Sequence, residues 1–302
     1  MTYSIVARDP DTGDLGVAAQ SHFFGVGRLV GWLNPGVGAV ATQAFVNIDF
    51  GPEALMHLTK GADADETLTT IIARDALSDY RQLALVDALG TAAAHTGTMC
   101  VPGAGHALGS AVAAAGNMLS DSMIPDLMVD AYHNSTGDLA DRLLAALVAA
   151  EDAGGDARGS QSSCLRIVSG SPSPTPWQET HFDIRVDDHA DPVGELARLL
   201  PLHRAFDAVG SVMFTPRIMM GPFENVGDTQ LDDAVQALVE ADKALGENSE
   251  ARFWHAVLLA RADRPEEAKR GFAAVFDRAP HLRAYLRNIA LVGFLDDPEQ
   301  YL

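Results

Sequence analysis

Thr2-Tyr3-Ser4-Ile5-Val6-Ala7-Arg8-Asp9 and Leu15-Gly16-Val17-Ala18-Ala19-Gln20-Ser21-His22 open the chain as two short β-rich runs. Between them Asp9-Pro10-Asp11-Thr12-Gly13-Asp14 is dense in turn formers, so Tyr3 to Ala7 and Leu15 to Ala19 are expected to pair as a hairpin. Two further strands are expected at Arg28 to Leu33 and Val37 to Phe45, parted by Asn34-Pro35-Gly36. Gly51-Pro52-Glu53 then starts a helix, because proline and an acidic residue both suit a first turn. A second helix is predicted over Asp65 to Arg74, with Leu68, Ile71 and Ile72 on one face.

The pattern then repeats. Strands are expected at Gln82 to Val86, Thr91 to His95 and Ser110 to Gly116. Helices follow at Pro125 to Tyr132 and Asp138 to Asp152; in the second, Leu139, Leu143, Leu144, Leu147 and Val148 share a face. Gly154-Gly155-Asp156 ends it, and strands return at Ser163 to Val168 and His181 to Val186. Strands grouped ahead of helices, twice over, argue for an α+β fold in which two sheets lie between two helical layers. The predicted domains are residues 1–205, a linker at 206–229 and an all-helical segment at 230–302. Within that last segment Ser249 to Pro280 resembles a tetratricopeptide helix pair, with Ala256, Ala268, Phe272 and Val275 at its packing positions. Shifting by about 34 residues brings Ala234, Leu238 and Ala241 into register upstream and Ala290 downstream. Such helix pairs bury their faces only by stacking, so this short array is expected to lean on the first domain or a partner, and self-association is expected.

Composition narrows the function classes. Of 302 residues, 41 are acidic and 21 basic, a formal net charge of −20, and the only lysines are Lys60, Lys243 and Lys269. No basic stripe is present, which argues against nucleic acid and anionic membrane as partners. Two cysteines, Cys100 and Cys164, are too few for a disulfide framework or a cysteine-rich zinc site. No secretory leader pattern or bilayer-spanning apolar window of about 18 residues is read, and a cytoplasmic location is the expectation.

The chemistry is read from Thr2. Loss of Met1 would leave a threonine whose hydroxyl is a nucleophile and whose own α-amine, with an ordinary pKa near about 8, is a general base. Read alone, Thr2 is merely a small β-former at a strand start. In context the chain resembles the N-terminal-nucleophile hydrolases: the threonine begins a strand, a hairpin follows, and the second strand runs into Gln20-Ser21-His22, where proteasome β subunits carry Asp-Ser-Arg. More narrowly it resembles a family of unknown function, number 1028, placed in that superfamily. That resemblance rests on Thr2 to Asp9, on Gly38-Ala39-Val40-Ala41-Thr42-Gln43-Ala44-Phe45-Val46-Asn47, and on Gly154-Gly155-Asp156-Ala157-Arg158-Gly159-Ser160-Gln161-Ser162. It implies a four-layer αββα sandwich with Thr2 as catalytic nucleophile. The chain departs from the proteasome pattern in having Gln20 in place of an aspartate and no lysine before Lys60, leaving Arg28 as the nearby cation.

Around Thr2 the candidate catalytic residues are Ser21, as a supporting hydroxyl, and the amides of Gln43 and Asn47, as donors to an oxyanion or as turn caps. Candidate substrate-binding residues are Gln20, His22, Asn117, Asp156, Arg158 and Gln161. Arg158 suits a substrate carboxylate, or alternatively an internal pair with Asp156; Asn117 suits a pocket or a cap. Ser21 and Cys100 are alternative nucleophiles. The expected activity is hydrolysis of an amide C–N bond in a small molecule, an anionic one where Arg158 binds it, with no metal or organic cofactor required. The other reading is a catalytically silent sandwich that binds or assembles through its tail.

Overall fold

The expected hairpin forms, with β1 (Thr2–Arg8) antiparallel to β2 (Leu15–Ser21), Tyr3 opposite Gln20 and Arg8 opposite Leu15. Its turn is held by Asp9, whose Oδ1 accepts the backbone N–H groups of Asp11 at 2.9 Å and Thr12 at 3.0 Å. The computed structural model describes residues 2–302.

Strands β3 (Gly31–Asn34), β4 (Gly38–Ala44), β5 (Arg81–Asp87) and β6 (Ala92–Thr96) form a four-stranded sheet in chain order. Strands β7 (Gly105–Gly109), β8 (Val112–Asn117), β9 (Ser162–Val168) and β10 (Thr180–Val186) join the hairpin in a six-stranded sheet ordered β10-β9-β2-β1-β8-β7. All pairings are antiparallel. Helices α1 (Phe50–Thr59) and α2 (Ala64–Arg74) pack on the four-stranded sheet, and α3 (Ile124–Asn134) and α4 (Leu139–Asp152) on the six-stranded one. The fold is therefore mixed α+β with antiparallel sheets.

The sheets face each other through Val6, Leu15, Val17, Ala19, Ala39, Ala41, Ala84, Val86, Ala113, Ala115 and Cys164, which form one buried cluster. On every strand these residues are two apart, the spacing that places side chains on one face of a pleated strand. Alanine and valine dominate, so the sheets are joined by small side chains. On the opposite face Gly16 lets α4 approach: a Cβ there would lie 2.6 Å from Leu143 Cδ1. Helix α4 begins at an Asp138 capping box and buries Leu139, Leu143 and Leu147. Val148, expected on the same face, is 39% exposed, because it lies one residue past the buried Leu147 and so about 100° further around the helix.

Two local expectations are corrected. The strand read as Arg28 to Leu33 begins only at Gly31, and Val26–Arg28 is a 3-10 turn whose Val26 N–H donates to Ser162 Oγ at 3.0 Å. The strand read as Ser110 to Gly116 begins at Val112 as β8, and residues 105–109, for which no element was expected, are the edge strand β7, which turns at Ser110-Ala111 and pairs with it. Glycine at both ends masked the strand signal; an edge position tolerates this because one side of the strand is unpaired.

The chain divides into two compact units, one through Leu199 and the other from Leu200 to Leu302. Residues 206–229, read as linker, hold the end of α5 (Pro192–Met213), an irregular segment and the start of α6 (Asp228–Leu245). In the second unit α6, α7 (Glu250–Arg261), α8 (Pro265–Arg278) and α9 (Leu282–Ala290) share one core, in which Leu238, Phe253, Trp254, Ala256, Ala268, Phe272 and Val275 are buried. Among the described residues no helix is long and apolar enough to cross a membrane.

Candidate functional site

The period of two that builds the dry layer also builds a polar end to it. Continuing each inward face toward Thr2 replaces the aliphatic residues by Ser4 and Thr2 on β1, Ser21 on β2, Gln43 on β4, Gln82 on β5, Thr96 on β6 and Asn117 on β8. Registers bring these strand ends together: Thr2 lies opposite Asn117, and Gln43 opposite Gln82. Thr2, Ser4, Ser21, Gln43, Gln82 and Asn117 are all buried.

Buried amides must be satisfied by one another. Gln82 is the hub. Its Oε1 accepts from Gln43 Nε2 at 2.8 Å and Asn117 Nδ2 at 2.9 Å. Its Nε2 donates to Thr96 Oγ1 at 2.9 Å, Gly116 O at 2.8 Å and Gly105 O at 3.0 Å. Ser4 Oγ donates to Gln43 Oε1 at 2.7 Å, which fixes the orientation of that amide. Gln43 Nε2 and Asn117 Nδ2 both also reach the carbonyl oxygen of Thr2, each at 3.4 Å. The first peptide of β1 is thus held from both sheets. The Thr2 hydroxyl donates to Ser21 Oγ at 3.1 Å, and Ser21 Oγ also accepts the Phe23 N–H at 3.1 Å.

Thr2, Ser21 and Gln43 form the polar wall of a cavity of about 120 Å³. Its other lining residues are Phe23, Val26, Leu29, Val30, Ala44 and Val46, so none of the described lining residues has an ionisable side chain. Ala44 and Met118, which follow the amide donors Gln43 and Asn117, adopt φ of +69° and +54°. A left-handed backbone at a residue with a Cβ is strained by about 1 kcal/mol or more, and both such turns sit at this strand end.

Of the residues expected from the sequence, Thr2, Ser21, Gln43 and Asn117 converge. Asn47 does not line the cavity: its Oδ1 caps the turn before α1, accepting Asp49 N–H at 3.2 Å. Gln20 is fully buried on the opposite face of β2 from Ser21, and its amide nitrogen and oxygen have no hydrogen-bond partner among the described residues. The neighbouring strand residue Tyr3 donates its hydroxyl to Glu151, and burial with the adjacent Glu151 carboxylate raises the Tyr3 pKa well above its ordinary value. Asp156 organises the loop after α4, accepting His22 N–H at 3.0 Å and Arg158 N–H at 2.9 Å, and pairs with the Arg158 guanidinium at 3.5 Å. Arg158 thus pairs with Asp156 and is not among the residues that line the cavity. His22 is exposed, and Gln161 Nε2 donates to Asp188 Oδ1 at 3.2 Å. Cys100, the alternative nucleophile, is buried, and desolvation raises its thiol pKa, which disfavours the reactive thiolate. Arg28 is exposed on the 3-10 turn.

Sequence reasoning missed Gln82 and Ser4. A signal was present: both share strand parity with inward aliphatic residues, Gln82 with Ala84 and Val86, and Ser4 with Val6. A polar residue continuing an inward apolar face marks either a core defect or a site, and several such residues at one end mark a site.

The model of a family of unknown function, DUF1028, matches residues 2–196. Protein SPO2555 from Silicibacter pomeroyi, a solved structure of the same family, is 34% identical, with a TM-score of 0.59. The match covers 66% of this chain and 87% of that one. No curated protein matches the chain. With its hairpin, paired sheets and Thr2 cavity all lying inside the matched residues, the chain belongs to the family of unknown function DUF1028.

Proposed function

We propose that the first unit is an N-terminal-nucleophile-type hydrolase with an αββα sandwich, cleaving an amide C–N bond after Met1 is removed. The observation that carries this reading is the placement of the Thr2 hydroxyl, hydrogen-bonded to Ser21 Oγ and lining a cavity at the polar end of the interlayer. In the proposed reaction Thr2 Oγ1 forms a bond to the substrate carbonyl carbon while its proton passes to the freed α-amine. The resulting ammonium returns a proton to the leaving nitrogen as the C–N bond breaks. Water then attacks the threonine ester, giving the carboxylic acid and regenerating the hydroxyl. Ser21 positions Oγ1, while Gln43 and Asn117 hold the Thr2 carbonyl so that amine and hydroxyl keep a fixed relation. The anionic substrate suggested by Arg158 is replaced by a neutral one in this reading, because that guanidinium is engaged by Asp156.

Intact-mass measurement of the purified chain before and after exposure to an electrophilic β-lactone tests the proposal. Loss of the methionine mass and one covalent adduct mapping to Thr2, absent in Thr2→Ala, are the expected results. Retained methionine with no adduct at Thr2 would leave a non-catalytic sandwich. For the second unit we propose a tetratricopeptide-like array that mediates self-association; an unchanged oligomeric mass after removal of the segment beyond Val226 would oppose it.

A further inference from the structure

We infer that the cavity beside Thr2 is the subsite for a short, uncharged, aliphatic acyl group, an inference that rests on Thr2 being the nucleophile. The polar lining residues Thr2, Ser21 and Gln43 are joined by hydrogen bonds and so occupy one end of the cavity, while Val26, Leu29, Val30 and Val46 supply apolar lining. A scissile carbonyl therefore sits at the polar end and its apolar substituent fills the remainder. Val26 and Val30 are 2% and 4% exposed, and β-branched side chains have restricted χ1, so these walls yield little.

Volume and charge limit the occupant further. The cavity, at about 120 Å³, is smaller than an apolar cavity of about 150 Å³ that takes up benzene, so it suits a group of about four or five non-hydrogen atoms. An ammonium entering this cavity loses hydration without meeting an acidic side chain among the described lining residues, and a carboxylate would pair with the freed Thr2 α-amine and hold it protonated, removing the general base. The acyl group, and not the amine, belongs in the cavity because it stays bonded to Oγ1 until water releases it. The amine must depart, and Phe23, a lining residue that is 54% exposed, marks where the lining reaches solvent. Leu29 and Val46 are only partly buried, so substitutions there reshape the cavity without emptying the core.

The test uses the full chain with Thr2 confirmed as its first residue by intact mass. The kcat/KM values are compared for acetyl, butyryl, octanoyl and succinyl p-nitroanilides. The butyryl compound is expected to exceed the octanoyl and succinyl compounds by at least about tenfold, and Leu29→Ala to narrow the butyryl-to-octanoyl ratio by about fivefold or more. A flat series, or preference for the succinyl compound, overturns the subsite and leaves Thr2 as nucleophile. If no anilide is cleaved, ligand-observed NMR of butyramide with the Thr2→Ala chain decides. Binding that is lost in Thr2→Ala/Val46→Phe keeps the subsite and discards the nucleophile; absence of binding discards both.

Discussion

The layer between the sheets is dry at one end and polar at the other, although the same strands build both. At the dry end Val17, Ala41, Val86 and Ala115 meet as ordinary core. Two or four residues further along those strands, Ser21, Gln43, Gln82 and Asn117 occupy equivalent inward positions. Strand period fixes which residues face inward; residue type alone then decides whether the enclosed space is core or site. The polar end is costly unless each amide finds a partner, and Gln82 satisfies several at once.

The largest expected effect would separate the two ends completely. Thr2→Ala should lower amide hydrolysis by at least about 1,000-fold, or about 4 kcal/mol of barrier, while shifting unfolding free energy by less than about 1 kcal/mol. Steady-state kinetics with urea denaturation check this, and a comparable loss of stability would place Thr2 in the core rather than the site. Gln82→Leu should next cost about 3–4 kcal/mol of stability, because Gln43, Asn117 and Thr96 lose buried partners. A shift within about 1 kcal/mol in urea denaturation would show that the hub is dispensable.

The dry end has its own titration. Burial pushes the Cys164 thiol from 9.0 up to about 11. Because the folded pKa is the higher one, its contribution is fully present below pH 9 and is lost as pH rises through 11. At pH 10.5 the unfolding free energy should therefore fall by about 2 kcal/mol relative to pH 8, and Cys164→Ala should remove that part of the alkaline loss. Equal pH profiles for wild type and variant would refute it. The smallest effect belongs outside both ends: Arg158→Ala takes a partly exposed guanidinium from the buried Asp156 carboxylate, which keeps the His22 and residue-158 backbone N–H groups as donors, and should cost about 1 kcal/mol of stability, with no selective loss of neutral-substrate turnover. A large selective rise in KM would return Arg158 to substrate binding.

Much of this was legible locally. Alternation in Tyr3 to Ala7 and Leu15 to Ala19, with turn formers between them, is a short-range signal, and the hairpin follows it. Helical spacing located α4 in the same way. The strand at Gly105–Gly109 was hidden because its stability comes from pairing with β8 and not from its own residues. Gln20 and Ser21 are chain neighbours with nearly the same sequence prior, yet the pleat sends them to opposite faces of the sheet.

The sequence by itself determined the strand and helix periods, the small residues that let two sheets approach, and a threonine at the head of the first strand. Those features depend on neighbours a few residues apart. Tertiary structure decided that Gln82 bridges Gln43 and Asn117, that Arg158 turns toward Asp156, and that valines wall the space beside Thr2. These meetings join residues far apart in the chain, and their geometry is set only when strand register and sheet-on-sheet packing close together.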